Sequence, residues 1–200
     1  MNKQSTKTDL NLEAIKDIMK KLAEKRPIFH SEADFQHELA IIIKDYFNNA
    51  KIRLEKPYIL SCGKNMKKIK LDMEIRINDK KYAIELKYKT KSFEYELDDD
   101  KFNLTNQAAQ NDGSYLFAKD TIRIQKLIKQ HNFNNGFAIF LTNDKGYYGN
   151  LHKNNEYSHS KKDNDNIEIA EYKNKFEWVE YKDFNEGQKN AIFKYLILAY

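Results

Sequence analysis

Residues 69–89 read IKLDMEIRINDKKYAIELKYK. Ile69, Leu71, Met73, Ile75 and Ile77 take every second position before Asn78-Asp79, and Tyr82, Ile84, Leu86 and Tyr88 do so after it. A period of two belongs to a strand with one face buried, and two such runs joined by a two-residue turn predict a β-hairpin. With Asn78 and Asp79 as the loop, Ile77 faces Lys80 and, counting outward, Asp72 lies across from Glu85. Directly opposed residues share one face with Cβ atoms about 5 Å apart, and Lys87, two positions after Glu85, projects from that face too. Leu71, Met73, Ile84 and Leu86 are expected on the other face, against a helix.

Upstream, Leu12, Ile15, Ile18, Met19 and Leu22 recur at helical spacing behind the cap Asn11, and Pro27 ends the segment. Ser31 and Asp34 have the form of a capping box, opening a helix whose stripe is Phe35, Leu39, Ile42, Ile43 and Tyr46. Lys51–Leu60 is strand-like and leads into a turn at Cys62-Gly63-Lys64-Asn65. Downstream, the acidic stretch Ser92–Asn103 reads as a loop. Ser114 is placed as the cap of a helix running to about His131, with Leu116, Ile124, Leu127 and Ile128 inward. Gly136–Asn143 reads as a buried strand from its continuous apolar run. Residues 145–166 are expected to be a long polar loop, followed by strand-like pieces at Ile167–Tyr172 and Phe176–Tyr181, with Phe193–Tyr200 tied into the fold. The order predicts a single α/β domain over residues 1–200, with a central mixed β-sheet flanked by helices. It divides into an N-terminal helix (1–26), a core (27–144) and a polar loop with C-terminal strands (145–200).

Composition sets outer bounds. Forty per cent hydrophobic residues suffice for a core, and a net charge of +5 suits a polyanion only if it is concentrated on one face. The lone Cys62 excludes an internal disulfide and a cysteine-rich zinc site. No apolar signal core or membrane-length apolar run is present, so a soluble, cytoplasmic protein is expected. A glycine-rich phosphate loop, a Gly-x-Ser-x-Gly elbow and zinc-ligand spacing are likewise missing from the sequence.

Two opposed carboxylates repel, unless a hard divalent cation such as Mg²⁺ lies between them. Two acids and a lysine around one point meet the needs of metal-assisted phosphodiester hydrolysis: the metal polarises the phosphate and acidifies water, while the lysine orients or deprotonates that water or stabilises developing charge. The competing reading is an amphipathic hairpin with a solvated polar face, a character shared by Lys68, Lys70, Glu74, Arg76 and Lys89. A third acid bears on the choice. On a helical wheel Glu32 falls near the centre of the Phe35–Tyr46 stripe, so it aims at the sheet from the helix's first turn, whereas Glu38 lies on the flank. His30 and His37 read as surface or packing residues.

These residues resemble the PD-(D/E)xK nuclease superfamily, the restriction-endonuclease-like group. The resemblance rests on Asp72 followed by Glu85-Leu86-Lys87 after a hairpin, and on FHSEADFQHELA (29–40), IRLE (52–55), KLD (70–72), AIELKYKTK (83–91) and FLTND (140–144). It is similar to a small bacterial branch of that group over residues 27–200. The resemblance implies Asp72 and Glu85 as ligands of Mg²⁺ or Mn²⁺, the Leu86 carbonyl as a further ligand, Lys87 as the catalytic lysine and Glu32 as the helix acid that assists the metal. Leu71 stands where the motif's name has proline. A weaker implication is substrate contact by Gln107, Gln110 and Tyr115; Lys89, which extends the face of Glu85 and Lys87, is read from its position as a phosphate contact or a surface lysine. Glu55 reads as a support for the ligands or a surface charge. Tyr147, Tyr148, His152, Tyr157 and His159, with Lys153, Lys161 and Lys162, would let the long loop track a nucleic-acid strand. The implied partner is nucleic acid, DNA before RNA. A homodimer is an option, although no apolar stripe beyond the core marks an interface. The alternative from another class is a non-catalytic nucleic-acid-binding or protein-interaction module that keeps the fold.

Overall fold

A computed structural model describes residues 9–107, 110–148, 176–184, 187 and 189–200. Helix α1 (Leu12–Lys25) starts where the Asn11 side chain accepts the Ala14 N–H at 2.9 Å. Helix α2 (Glu32–Tyr46) starts where the Ser31 hydroxyl accepts the Asp34 N–H at 3.1 Å. The reciprocal half of the expected capping box is shifted by one residue: Asp34 accepts the N–H of His30, not Ser31, and also holds Arg26.

Strands β1 (Lys51–Cys62), β2 (Asn65–Ile77) and β3 (Lys80–Lys89) form an antiparallel meander. Helix α3 (Gln110–His131) then crosses over to β6 (Asn135–Thr142), which pairs with β3 in parallel. Two further strands, β7 (Val179–Asp183) and β8 (Ile192–Ala199), complete a mixed sheet in the order β1-β2-β3-β6-β8-β7. The expected α/β class, with a central mixed sheet flanked by helices, is therefore present. Among the described residues no helix is long and apolar enough to cross a membrane.

Two helical layers cover the sheet. On one face α1 and α2 pack Ile15, Ile18, Met19, Phe35, Leu39 and Ile43 onto Met73, Ile75, Ile84, Leu86, Ile139 and Leu141. On the other, α3 packs Phe117 and Ile124 onto Ala138 and Phe140, and Leu127 onto Leu71 and Ala83. A parallel crossover buries both faces of the strands that it joins. For that reason Ala83 and Glu85 are as inaccessible as Ile84 and Leu86.

Several expectations are corrected. Ser92–Asn103 is not a loop but mostly a hairpin, β4 (Phe93–Leu97) and β5 (Asp100–Leu104), turning on Asp98 and Asp99 at φ 49° and 68°. Aspartate tolerates that left-handed region, so its acidic centre is the turn, while Phe93, Phe102 and Leu104 are buried. Helix α3 begins at Gln110, leaving Ser114 buried within it; Leu116 is exposed, and Phe117 and Ala118 point inward instead. Leu71 joins the α3 side rather than the cluster of Met73 and Leu86. A short helix α4 (Lys145–Tyr148) replaces the start of the expected loop and buries Tyr147. The strand expected at Phe176–Tyr181 runs from Val179 to Asp183. His152, Lys153, Tyr157, His159, Lys161, Lys162 and the Ile167–Tyr172 segment lie outside the described residues.

Candidate active site

The β2–β3 ladder runs from Ile77 opposite Lys80 to Met73 opposite Ile84 and stops there, one step short of Asp72 and Glu85. The β1–β2 ladder skips the same level, between Leu54–Met73 and Lys56–Leu71, and Glu55 sits there at φ 51°. Asp72 thus stands where β3 leaves β2 and the β1–β2 ladder skips a level. Its side chain takes over the missing ladder bond, with Oδ2 accepting the Leu86 N–H at 2.6 Å. From behind, the Gln36 amide of α2 donates to the Asp72 carbonyl at 2.7 Å and to Glu55 at 3.3 Å.

Glu85 is fully buried. Its Oε2 accepts from Arg123 of α3 at 2.6 Å, while Oε1 has no donor. The Glu85 and Asp72 carboxylates also act on one another electrostatically. Two neighbouring carboxylates repel when both are ionised, and a proton or a cation relieves that repulsion. Burial, and then the charges of Asp72 and Asp120, push the Glu85 carboxyl well above the usual carboxylate range. Burial also raises Asp72, against the Leu86 N–H that favours its charge.

Lys87 projects into the same space as expected. Its Nζ is 3.7 Å from Glu32 Oε1 and 3.6 Å from Asp120 Oδ2. Burial works against its charge, but Asp120, Glu32 and Asp72 outweigh it, so the ammonium is held more firmly than a free lysine's. In this arrangement Lys87 is a cation held by three carboxylates. Glu32 reaches the sheet from the first turn of α2, where its Oε2 accepts the Tyr88 N–H at 2.7 Å.

Two members of the cluster were not read from the sequence. Asp120 is almost fully buried, and burial lifts its carboxyl to about 6 despite Lys87 and Arg123. Arg123 bridges Asp120 Oδ1 at 2.8 Å and Glu85 at 2.6 Å. The available signal was an acid within the inward stripe Phe117, Asp120, Ile124, Leu127 of α3, where an apolar residue would serve packing better. Glu74, grouped with a solvated face, is instead 1% exposed and held by Lys56, Tyr58 and Arg76.

The weaker candidates fare unevenly. Lys89 is half-buried beside Thr142 of β6. The Gln110 amide is committed to Asp144 at 2.8 and 2.9 Å, which ties the start of α3 to the end of β6 and gives it a structural task. The Gln107 N–H bonds the Thr90 carbonyl, and its side-chain oxygen is buried without a donor. Tyr115 lies half-buried under the Lys119 ammonium. His30 stacks on Phe102 and touches Asp100, a packing role as expected. A groove of about 520 Å³ between α2 and β1, lined by His37, Ile41, Ile52 and Leu54, holds none of the clustered carboxylates.

Among the described residues no three acidic, histidine or cysteine side chains form a ready-made metal cage. The donor set nonetheless fits a hard divalent cation: the buried oxygens Glu85 Oε1 and Asp120 Oδ2 lack hydrogen-bond donors, and Asp72 faces Glu85. Comparisons of the chain with protein-family models, with curated proteins and with solved structures found no match.

Proposed function

We propose that this chain is a Mg²⁺- or Mn²⁺-dependent nuclease of the PD-(D/E)xK type, hydrolysing phosphodiester bonds, first of all in DNA. One observation carries the reading: Asp72, Glu85, Lys87 and Glu32 converge where β2 and β3 part, around a buried Glu85 oxygen that has no donor. The order α2-β1-β2-β3-α3-β6, interrupted by the β4–β5 hairpin before α3 and with β3 and β6 parallel, supports a restriction-endonuclease-like core.

Asp72 and Glu85 would hold the cation, with the Leu86 carbonyl and Glu32 as further oxygen donors. When bound, the cation supplies Lewis-acid polarisation of the phosphodiester and a lower pKa for attacking water. The protein's own contribution is positional and electrostatic. Lys87, kept protonated by its acidic neighbours, presents a fixed positive charge where negative charge grows on the phosphoryl oxygens. Asp120 and Glu32 hold that ammonium from two sides, and the Leu86 and Tyr88 N–H groups hold Asp72 and Glu32. Packing of α3 over Glu85 excludes water and strengthens each of these interactions.

The Arg123–Glu85 pair favours a second reading, a non-catalytic nucleic-acid-binding module in which the guanidinium takes the cation's place. Incubation of single- and double-stranded DNA and RNA with Mg²⁺, Mn²⁺ or EDTA separates the two. The nuclease cuts at least one substrate with metal and none in EDTA; the module binds equally well in EDTA and cuts nothing.

A further inference from the structure

The β1–β2 hairpin carries the chain's positive charge. Between Lys51 and Lys70 there are seven lysines and arginines and one acid, Glu55, an excess that exceeds the +5 of the entire sequence. Beyond Asp72 the hairpin no longer pairs with β3 and continues as a two-stranded ribbon to its turn at Gly63-Lys64. Leu60, Ile69 and Leu71 turn toward α3, where they pack with Leu127 and Phe133. The other face is open: Ile59 is 54% and Met66 69% exposed, with Lys68 across from Ile59 and Lys70 across from Pro57. Lys64, Lys68 and Lys70 are exposed, and among the described residues no carboxylate pairs with them. An unpaired lysine-rich face repels itself, and a polyanion laid on it relieves that repulsion, which gives the face affinity for one.

Geometry narrows the polyanion. Lys68 and Lys70 are about 7 Å apart along β2, close to the separation of neighbouring phosphates, and Lys70 is the same distance from Asp72. A two-stranded ribbon fits a duplex groove, and exposed apolar side chains such as Ile59 and Met66 pack against bases at its floor. Single-strand binding relies on aromatic platforms instead. The open face lacks them, because Tyr58 turns inward to Glu74, His131 and Phe133. We propose that the open face of the β1–β2 hairpin is a duplex-DNA-binding arm, in which Lys64, Lys68 and Lys70 grip backbone phosphates and deliver the duplex to the carboxylate cluster. The proposal rests on the nuclease reading for its choice of polyanion.

The test is fluorescence anisotropy of a labelled 30-base-pair duplex in EDTA, across a salt series, with wild type and a Lys64→Gln/Lys68→Gln/Lys70→Gln variant. Circular dichroism and Mn²⁺ binding of the variant serve as controls for fold and site. The arm predicts at least roughly tenfold weaker binding by the variant near physiological salt, and a log–log salt slope smaller by about 2–3. Equal binding by the two proteins overturns it, as does a wild type with no salt-dependent affinity for the duplex. Tighter, lysine-dependent binding to phosphatidylserine vesicles than to the duplex overturns it in favour of a membrane surface. Because no metal is present, lysine-dependent binding without cleavage in the Mg²⁺ assay would sink the nuclease reading and leave the arm standing.

Discussion

Replacing Asp120 with Asn removes a buried carboxylate from the cluster while keeping its shape. Burial holds this carboxyl at about 6, against an ordinary value of 3.8, even though Lys87 and Arg123 favour its charge. A carboxyl raised in the fold gives stability that is fully present below the unfolded value and is lost as pH rises through the folded one. Wild type should therefore lose about 3 kcal/mol over the whole titration of Asp120, of which about 2 kcal/mol falls between pH ~4.5 and pH ~8. The Asn variant titrates nothing at this position. Its stability relative to wild type should accordingly rise by about 2 kcal/mol between the two pH values, or about 4–8 °C in melting temperature for a chain of this length. Taking the difference of differences cancels any pH-independent cost of the substitution. Loss of the Asp120 charge also lets Glu85 ionise more readily, which adds to the effect with the same sign. The assay is urea unfolding in EDTA at both pH values. A stability difference between variant and wild type that changes by less than about 0.5 kcal/mol between the two pH values would mean that Asp120 ionises freely, and that α3 does not seal the carboxylates as described.

Other consequences are as direct. Lys87→Ala should leave fold and Mn²⁺ binding intact and lower cleavage about 10²–10³-fold, as for loss of one fixed transition-state donor, in a single-turnover assay; full activity would remove Lys87 from the mechanism. Burial opposes the Glu74 charge, but hydrogen bonds from Lys56, Tyr58 and Arg76 outweigh it and lower its pKa below 4.5. That stability exists above the unfolded value and fades as pH falls, so Glu74→Gln should cost about 1–3 kcal/mol at neutral pH and progressively less below pH ~4 by urea unfolding. At Gly136 an added Cβ would run into the Cγ2 of fully buried Ile124. Gly136→Ala should therefore destabilise the protein by about 1–3 kcal/mol through the α3–β6 contact, measured by thermal melting.

What the sequence disclosed follows from which periodicities it carries. Alternation and a two-residue turn gave the hairpin register from Ile77–Lys80 to Met73–Ile84, because register is local and counting suffices, but not the end of the ladder one step before Asp72 and Glu85. The helical wheel placed Glu32 against the sheet for the same reason. Asp120 and Arg123 escaped because their relation to Glu85 spans a crossover, and neither period reports which helix will lie over which strand. Helix α3, on the crossover between β3 and β6, covers a hairpin face that alternation assigns to solvent, and so Glu74 is buried where the pattern expects exposure. Asp98-Asp99 was read as loop composition, although two adjacent aspartates also make a tight turn between short strands.

The central claim is that the hairpin carboxylates form a divalent-cation site. Isothermal titration of Mn²⁺ into wild type and into Asp72→Asn/Glu85→Gln, with both proteins shown to be folded by circular dichroism, tests it most directly. The account predicts saturable binding by wild type, with protons released as the raised carboxyls ionise, and none by the variant. Undiminished binding by the folded variant, or a folded wild type that binds no Mn²⁺ with or without duplex DNA present, would contradict it.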